Sequence, residues 1–326
     1  MSYLTRGMKY LFGAGISISL FIVILVSGCA KESSKERDNP VQGTITIAAD
    51  ESFKPLVHAL TQAYQGIYPR AHFNIVYKPE QQAILELLKD SVRMVFTSRQ
   101  LSENEIAMVK QQEGIQKAHH IALDGLALVV NGINKDSLIT MDEVKSIVEG
   151  KITDWSQLKG SSQTGPITLV FDNANSSNLN FVMSKFNLKS IQKLRITSAG
   201  SNANVINEIK KNPLSLGFIG VNWISDGHDA LAIELSKGIR VLGVSKSANP
   251  VSVKEYYQPF QNGLELKNYP LSRDVYIIIR EGYAGLGNGM VNYIARDVGG
   301  LIIQKMGLIP TIVYPRELEI RTGQNL

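Results

Sequence analysis

Residues 43–48 read GTITIA, and after a polar loop at residues 50–53 (DESF) an amphipathic stretch extends to residue 66. The β-branched run predicts a strand. The stretch that follows predicts a helix, because Ser52 suits the N-cap position and Pro55 suits the first turn. The same alternation of short β-branched runs with longer amphipathic stretches continues along the chain, and it predicts an α/β fold.

Two Ser/Thr-x-x-Glu capping boxes mark helix starts, one at Ser102 and one at Thr140. The helix after Thr140 is predicted to stop at Gly150. Further strands are predicted at residues 73–77, 94–97, 121–131, 167–171, 216–219, 239–244 and 275–279, with an extended run at 311–314. Further helices are predicted at residues 81–89, 106–112, 177–186, 204–211 and 289–304.

The composition is that of a globular protein. Of the 326 residues, 44% are hydrophobic and 19% are charged, and the formal net charge is +5. These proportions exclude a disordered chain. Acidic and basic residues interleave and no arginine-rich tract is present, so the sequence does not support a nucleic-acid partner.

The N-terminal residues follow the order of a bacterial export signal. Arg6 and Lys9 precede an uncharged stretch at residues 10–30, in which the sequence Ser27-Gly28-Cys29 resembles the lipobox of bacterial lipoproteins. We therefore expect a signal peptide at residues 1–28, fatty acylation (palmitate) of Cys29 and a flexible tether at residues 29–41. The alternative is an uncleaved transmembrane anchor, since the apolar stretch approaches the roughly 20 residues that span a bilayer.

Polar residues follow several predicted strands, and in an open α/β sheet such positions line the ligand cleft. Ser52 and Phe53 follow the first strand, and Ser98 and Arg99 follow the strand at residues 94–97. The alternatives are that Ser52 serves as an N-cap alone and that Arg99 is an ordinary surface charge.

Two further candidates are Asp124 and the loop at residues 172–178 (DNANSSN). Asp124 interrupts an apolar strand, where a carboxylate is costly unless it is paired or hydrogen-bonded. In the loop, which precedes a helix start that suits anions, the candidate ligand-binding residues are Asp172, Ser176, Ser177 and Asn178. Together with the first loops they predict an oxyanion pocket, and the identity of the anion stays open.

Seven stretches, taken in order, resemble the phosphate-binding component of bacterial phosphate ABC transporters. They are residues 45–57 (ITIAADESFKPLV), 97–105 (TSRQLSENE), 121–131 (IALDGLALVVN), 141–155 (MDEVKSIVEGKITDW), 171–181 (FDNANSSNLNF), 212–220 (NPLSLGFIG) and 269–279 (YPLSRDVYIII). The resemblance implies a two-lobed periplasmic-binding-protein fold of type II. In that fold each lobe is a mixed sheet flanked by helices, and the lobes close on the ligand by a hinge motion.

The resemblance also implies a set of ligand contacts. Ser52 and Phe53 match a loop that supplies hydroxyl and backbone N–H contacts, and Ser98 matches a serine that hydrogen-bonds phosphate. Asp124 lies near the family's carboxylate acceptor. Such an acceptor distinguishes a protonated phosphate from ionised sulfate, because only the protonated anion can donate a hydrogen bond to it.

The loop at residues 172–178 departs from the family pattern. Where the family shows an arginine followed four residues later by Ser-Gly-Thr, this chain has Asp172 and then SSN. An aspartate repels a dianion unless it takes up a proton or pairs with a cation. Arg99 is therefore expected to be the compensating charge, with Lys54 as a weaker one.

By the same resemblance, lobe 1 is predicted at residues 42–130 and 235–326 and lobe 2 at residues 131–234. The expected protein captures inorganic phosphate for an ABC transporter permease. It is expected to be lipid-anchored through Cys29 in the cell envelope, facing the periplasm or the outside. It is also expected to be a monomer that needs no cofactor or metal.

Other functions stay open beside this one. The chain could bind a different oxyanion, a phosphate ester or a small polar ligand, or it could be a sensor or adhesin that reuses the fold. An enzyme is disfavoured, because the sequence lacks a Gly-x-Ser-x-Gly elbow, a Walker loop and a His-Glu-x-x-His motif.

Overall fold

The structure is a computed structural model that describes residues 37–189 and 195–312. The predicted signal peptide, Cys29 and residues 29–36 of the predicted tether lie outside the described residues, as do residues 313 and 314 of the predicted C-terminal run. None of the helices in the described ranges combines the length and the apolar character needed to cross a membrane.

Helices and strands alternate along much of the chain. The strands are β1 (Gln42–Asp50), β2 (Arg70–Lys78), β3 (Met94–Thr97), β4 (Lys117–Asn131), β5 (Leu138–Thr140), β6 (Thr168–Phe171), β7 (Ile196–Ser198), β8 (Ser215–Gly220), β9 (Ile239–Val241), β10 (Gly243–Ser245), β11 (Tyr256–Tyr257), β12 (Ser272–Ile279) and β13 (Ile309–Pro310). The helices are α1 (Lys54–Ile67), α2 (Glu80–Leu88), α3 (Glu103–Gln111), α4 (Met141–Val148), α5 (Ser177–Lys185), α6 (Asn202–Lys211), α7 (Ala230–Ser236), α8 (Gln261–Glu265), α9 (Leu286–Ile294) and α10 (Asp297–Lys305). The predicted α/β fold is confirmed, and so are the capping boxes at Ser102 and Thr140.

The main sheet is mixed and has the strand order β2-β1-β3-β12-β4-β8-β6-β7. β1 is parallel to β2 and β3, and β6 is parallel to β7 and β8, whereas β12 is antiparallel to both of its neighbours. We call β2, β1, β3 and β12 the first half-sheet, and β8, β6 and β7 the second half-sheet. β4 joins the two halves, because it pairs with β12 up to Gly125 and with β8 from Leu126 onward. A Cβ at Gly125 would lie 2.6 Å from the Cβ of Pro259, so the glycine permits a close approach at this junction.

Apolar side chains cover both faces of each half-sheet, as the alternation of side chains along a strand requires. In β1, Ile45 and Ile47 are buried in the core that contains residues of α1 and α9, while Ala48 is buried on the opposite face against α2. In β4, Leu128 and Val129 are likewise buried in different clusters. Each half-sheet is therefore a middle layer between helices, and its strand ends are left free to carry loops.

The single helix predicted at residues 289–304 is wrong. Two helices, α9 and α10, occupy this region, and the backbone is extended at Arg296 between them (φ −94°, ψ 169°). The two helices pack so closely that a Cβ on Gly299 would overlap the Cα of Ile294. The strand predicted at residues 239–244 is also divided, into β9, which pairs with β4, and β10, which pairs with β5.

The boundaries between the lobes stay a prediction. Leu242 and Leu264, which the sequence assigns to lobe 1, are buried in one apolar cluster with Leu128 of β4 and Phe218 of β8. The segment between β9 and β12 therefore packs on the second half-sheet.

Candidate ligand-binding site

Two loops from different half-sheets meet through their serine hydroxyls. Ser52 lies in a short 3-10 helix directly after β1, and Ser177 is the first residue of α5, which follows β6. The two Oγ atoms are 2.7 Å apart although 125 positions separate the residues. Both residues are completely buried. The carboxyl ends of β1 and β6 thus bring two hydroxyls together at the position where open α/β sheets bind ligands.

The carboxylate of Asp50, the last residue of β1, accepts hydrogen bonds from both serines. Oδ1 accepts from the Ser52 N–H at 2.7 Å, from the Ser52 hydroxyl, and from the Ser177 hydroxyl at 3.1 Å. Oδ2 accepts from the Ser177 N–H at 3.0 Å. That N–H belongs to the first turn of α5, where no partner exists within the helix. Two N–H groups and two hydroxyls therefore surround one buried carboxylate.

Arg273 of β12 brings a positive charge to the same place and is only 3% exposed. Its Nε and Nη2 lie 2.9 and 2.8 Å from Oδ2 of Asp124, which stands directly opposite on β4. Nη1 donates to the Ser177 hydroxyl at 3.0 Å, and Nη2 donates to the Ser52 hydroxyl at 3.4 Å. The guanidinium also lies 4.9 Å from the centre of the Phe53 ring, within cation–π range. Asp124 is thus paired, as its complete burial requires.

Asp172 organises the loop after β6. Its Oδ1 accepts from the Ser176 hydroxyl at 2.7 Å and from Nδ2 of Asn178 at 3.2 Å. Its Oδ2 accepts from Nδ2 of Asn202 at 3.3 Å. Burial, followed by the nearby charge of Asp50, raises the pKa of Asp172 to about 6. Asp172 therefore takes up a proton in mildly acidic solution.

Glu51 connects the half-sheets a second time. Its Oε2 accepts from the Asn202 N–H at 3.0 Å and from Asn202 Nδ2 at 2.7 Å, across 151 positions of sequence. Burial raises the pKa of Glu51 to about 7, although its hydrogen bonds with Asn202 act in the opposite direction. The charges of Asp172 and Asp50 raise this pKa further.

A groove of about 880 Å³ opens beside Glu51, and Asn222 and Trp223 are part of its wall. Asn222 Nδ2 and Trp223 Nε1 both donate to the carbonyl oxygen of Ser52, at 2.9 and 3.0 Å. Two residues of the groove wall thus bond to the backbone of the loop that carries Ser52.

Among the described residues that form this site, carboxylates outnumber cations: Asp50, Asp124 and Asp172 are present with one guanidinium, that of Arg273, which pairs with Asp124. Burial raises the pKa of Asp124, and the neighbouring guanidinium partly offsets that effect. A fully ionised dianion would add further repulsion unless protons accompany it or a carboxylate moves away.

Several buried acceptor oxygens in the cluster are free. Oδ1 of Asn178 and Oδ1 of Asn222 have no hydrogen-bond partner among the residues that the structure describes. Oδ1 of Asp124 also has no well-aligned hydrogen-bond partner among those residues, although the nearby N–H groups of Gly125 and Val221 act to lower the pKa of Asp124. The cluster therefore suits a small species that both accepts and donates hydrogen bonds, as a protonated oxyanion does. In residues 37–189 and 195–312, no group of three His, Cys, Asp or Glu side chains is placed to hold a metal ion.

Ser98 lies in a neighbouring cluster and makes none of the contacts above. Its N–H and its hydroxyl both donate to Oε1 of Glu80, at 2.7 Å in each case. Burial, followed by the charge of Asp50, raises the pKa of Glu80. The donors expected from Ser98 are thus already bound to an internal carboxylate.

The structure does not bring Arg99 to Asp172 as the compensating charge. The guanidinium donates to both carboxylate oxygens of Glu105, at 2.8 and 2.9 Å, and these bonds lower the pKa of Glu105 to about 2. Glu105 is fixed by the capping box of α3, so it holds Arg99 at that helix start. The second expected cation, Lys54, lies 5.5 Å from the centre of the Tyr77 ring.

Residues 34–298, most of the chain, match the PBP superfamily domain. The chain belongs to the PBP superfamily. The mixed sheet flanked by helices is the architecture that the resemblance implied, and that prediction is confirmed.

Several proteins that are similar to this chain are described by name as phosphate-binding. The phosphate-binding protein PstS of Bacillus subtilis (strain 168) is 23% identical over 304 residues, which are 90% of this chain and 91% of the relative. A solved Clostridium perfringens protein with bound phosphate has a TM-score of 0.68 at 19% identity, and the match covers 82% of this chain and 100% of that one. An ABC-type phosphate transport receptor from Vibrio cholerae has a TM-score of 0.60 at 21% identity and covers 81% and 99% of the two chains. At these identities the solved structures establish the fold.

Arg273 and Asn202 belong to the site but are not predicted from the sequence. Asp50 lies in the predicted candidate loop at residues 50–53, but only Ser52 and Phe53 of that loop are predicted as ligand contacts. Asp50 precedes a helix start, where an aspartate has the ordinary role of a cap. Arg273 does leave a signal, because it is a cation in a run otherwise rich in β-branched residues. Such a residue requires a buried partner, and Asp124 presents the matching requirement on another strand.

Proposed function

We propose that this chain is an extracytoplasmic solute-binding protein that captures inorganic phosphate and delivers it to an ABC transporter. The observation that carries the proposal is the convergence of Ser52, Ser177 and Arg273 from both half-sheets on one buried point. Backbone N–H groups at a helix start, hydroxyls and a guanidinium are the donors that oxyanion binding requires. The names of the relatives support the same ligand, since the B. subtilis protein is a phosphate-binding protein and the C. perfringens structure contains phosphate.

The carboxylates of the site favour phosphate over sulfate. Asp124 and Asp172 are hydrogen-bond acceptors, and at neutral pH phosphate keeps a proton that it can donate, whereas sulfate has none. The raised pKa of Asp172 gives a second means of accommodating the anion, because this side chain can take up a proton as the negative charge arrives.

The proposed activity is binding without chemistry on the anion. In the described part of the chain, the hydroxyls of Ser52 and Ser177 bond to Asp50 and Arg273. They do not bond to a histidine that could remove their protons, as a nucleophilic serine requires. Fixed donors of this kind orient a ligand, which is what a binding protein needs.

We also propose that Cys29 carries the lipid anchor and that residues 29–41 tether the binding domain beside the permease. The sequence Ser27-Gly28-Cys29 after an uncharged apolar stretch supports this arrangement. Mass spectrometry of the protein from its bacterial membrane should show an acylated Cys29 at the N-terminus, and an intact N-terminus with an unmodified Cys29 would contradict it.

Isothermal titration calorimetry of the full chain in detergent, dialysed free of phosphate at pH 7.5, tests the proposed ligand. Phosphate should bind once per chain, and sulfate should give no binding heat at millimolar concentration. Ser177→Ala removes a hydroxyl next to the bound charge and should weaken phosphate binding about tenfold or more.

Ser156→Ala is the matched control for that titration. Ser156 donates its N–H and its hydroxyl to an aspartate, as Ser177 does, but this aspartate is the neighbouring Asp154 and the serine is exposed. This variant should therefore bind phosphate as the wild type does. A wild-type chain that does not bind phosphate at millimolar concentration would contradict the proposed function.

A second candidate is a binding protein for a small polar solute that donates hydrogen bonds. The free acceptor atoms of Asn178 and Asn222, together with the surplus of carboxylates, favour it. Titration of the same sample with neutral polyols and small ammonium compounds separates the candidates. Heat from these solutes and none from phosphate would establish the second one.

A further inference from the structure

The carboxylate of Asp50 has the surroundings of a bound ligand. It is completely buried, and its four hydrogen-bond donors are the N–H and hydroxyl groups of Ser52 and Ser177. Arg273 contacts both hydroxyls from the other side, so each hydroxyl can accept from the guanidinium while it donates to the carboxylate. These are the donors to which the proposed function assigns the phosphate.

A carboxylate resembles part of an oxyanion in shape and charge. Its two oxygens spread over the donors as two of the four oxygens of phosphate would. The Ser177 N–H belongs to a helix of nine residues, α5, whose N-terminus favours negative charge. Asp50 therefore satisfies the anion site from within the chain.

The contact also joins the two halves of the molecule, as a captured ligand would. Asp50 ends β1 of the first half-sheet, and Ser177 lies 127 positions later at the end of the second half-sheet where β6 leads into α5. The bond between Glu51 and Asn202 crosses at the same place. Two neighbouring acidic residues thus hold the starts of two helices, α5 and α6, in position.

We propose that Asp50 is an internal ligand, whose carboxylate occupies the oxyanion position and is displaced when phosphate binds. The inference rests on the proposed function and adds a specificity-determining residue to it. Phosphate must rotate the Asp50 side chain out of the site before it gains the donors of Ser52 and Ser177. If Asp50 holds these donors about 99% of the time, the apparent affinity for phosphate is about a hundredfold weaker than the intrinsic affinity. Anions that bind the donors weakly are thereby excluded.

Calorimetric titration of the full chain with phosphate tests the inference through Asp50→Ala and Asp50→Asn. Each variant removes the competing charge, so each should bind phosphate at least tenfold more tightly than the wild type. Asp50→Asn preserves the shape of the side chain, and it provides the measurement if the alanine variant does not fold. Asp154→Ala is the matched control. Asp154 accepts hydrogen bonds from the N–H and hydroxyl of Ser156, as Asp50 does from Ser52, but it makes no hydrogen bond with Ser177. This variant should bind phosphate as the wild type does.

Thermal unfolding with and without phosphate gives a second readout. Without phosphate, Asp50→Ala leaves buried donors unsatisfied and should melt at a lower temperature than the wild type. Saturating phosphate should supply the missing acceptor, so the melting temperature of this variant should rise by more than that of the wild type.

The outcomes separate the inference from the proposed function. If the wild type binds phosphate and folded Asp50 variants bind it equally or more weakly, the inference is overturned and the function stands. If only the Asp50 variants bind phosphate, the inference is upheld and phosphate capture by the wild type is refuted. If no form binds phosphate, both are overturned.

Discussion

The chain contains two Asp-x-Ser turns with the same local chemistry. Asp50-Glu51-Ser52 and Asp154-Trp155-Ser156 each open a 3-10 helix of one turn. In both, Oδ1 of the aspartate accepts from the N–H of the serine two positions later, at 2.7 Å and 3.0 Å respectively, and from the serine hydroxyl. Judged from the neighbouring residues alone, the two turns are equivalent helix caps.

The two turns differ in the partner that the fold brings to each aspartate. Asp154 receives one more bond at 3.1 Å, from the N–H of Gly165 only 11 positions away, and its side chain is partly exposed. Asp50 is completely buried and receives Ser177, which lies 127 positions away on the other half-sheet. The short-range sequence therefore specifies the cap, whereas the long-range topology decides whether the cap becomes a binding site.

We expect the largest effect on stability from removal of Arg273, the cation that contacts the first turn through Ser52. Arg273→Met should lower the free energy of unfolding by about 3–5 kcal/mol, because it leaves the carboxylate of Asp124 buried without a counter-charge. Urea denaturation at pH 7 followed by circular dichroism measures this loss.

Arg99→Met is the matched control for that loss. Arg99 pairs with Glu105 in a partly exposed position, where removal of the cation should cost about 1 kcal/mol or less. If the free energy of unfolding fell equally in the two variants, burial of the pair of Arg273 with Asp124 would not make its loss more costly.

The two turns should also differ, by a smaller amount, in how they make stability depend on pH. In the fold the pKa of Glu51 is about 7, against 4.5 for an ordinary glutamate. The pKa of Asp172 is about 6, against 3.8 for an ordinary aspartate. Both groups bind protons more tightly in the folded chain than in the unfolded chain. Their stabilisation is therefore complete below the ordinary pKa values of 3.8 and 4.5, and it is lost as the pH rises to the folded pKa values of about 6 and 7. The free energy of unfolding should therefore fall between about pH 4 and pH 7, with Glu51 contributing about 3 kcal/mol at most.

Glu51→Gln should flatten this pH dependence in urea denaturation series at pH 5, 6, 7 and 8. Burial lowers the pKa of His119, which acts in the opposite direction, but that contribution is common to both proteins and cancels in the comparison. The second turn should not contribute in this range, because its bonds with Ser156 lower the pKa of Asp154 and move its titration to more acidic solution. An unchanged pH slope in Glu51→Gln would contradict the account of the first turn.

Local signals in the sequence predict most of the elements of this fold. β3 has the bounds predicted for it, residues 94–97, and the capping boxes at Ser102 and Thr140 open helices as expected. The break between α9 and α10 is not predicted, because the apolar pattern continues from one helix into the next. In the structure the backbone is extended at Arg296, and the two helices pack closely at Gly299. Short elements such as α7 are also missed, because seven residues give too little periodicity.

The candidate site is predicted only in part, for the same physical reason. Ser52 and Ser177 follow strands and precede helices, which is a local pattern. The pair of Arg273 with Asp124 depends on the register of β12 against β4, two strands whose paired residues lie 149 positions apart. No pattern within one strand contains that register, so the sequence indicates Arg99, a nearer cation that the fold gives to Glu105.

A phosphate titration followed by amide NMR, with the backbone N–H signals of Ser52, Ser177 and Ser156 assigned in the full chain, shows directly whether phosphate binds at these serines. Saturating phosphate should shift the signals of Ser52 and Ser177, because a new anion accepts their hydrogen bonds, while the signal of Ser156 stays in place. If saturation shifts other signals and leaves those of Ser52 and Ser177 unchanged, phosphate binds at another site and the proposed site is wrong.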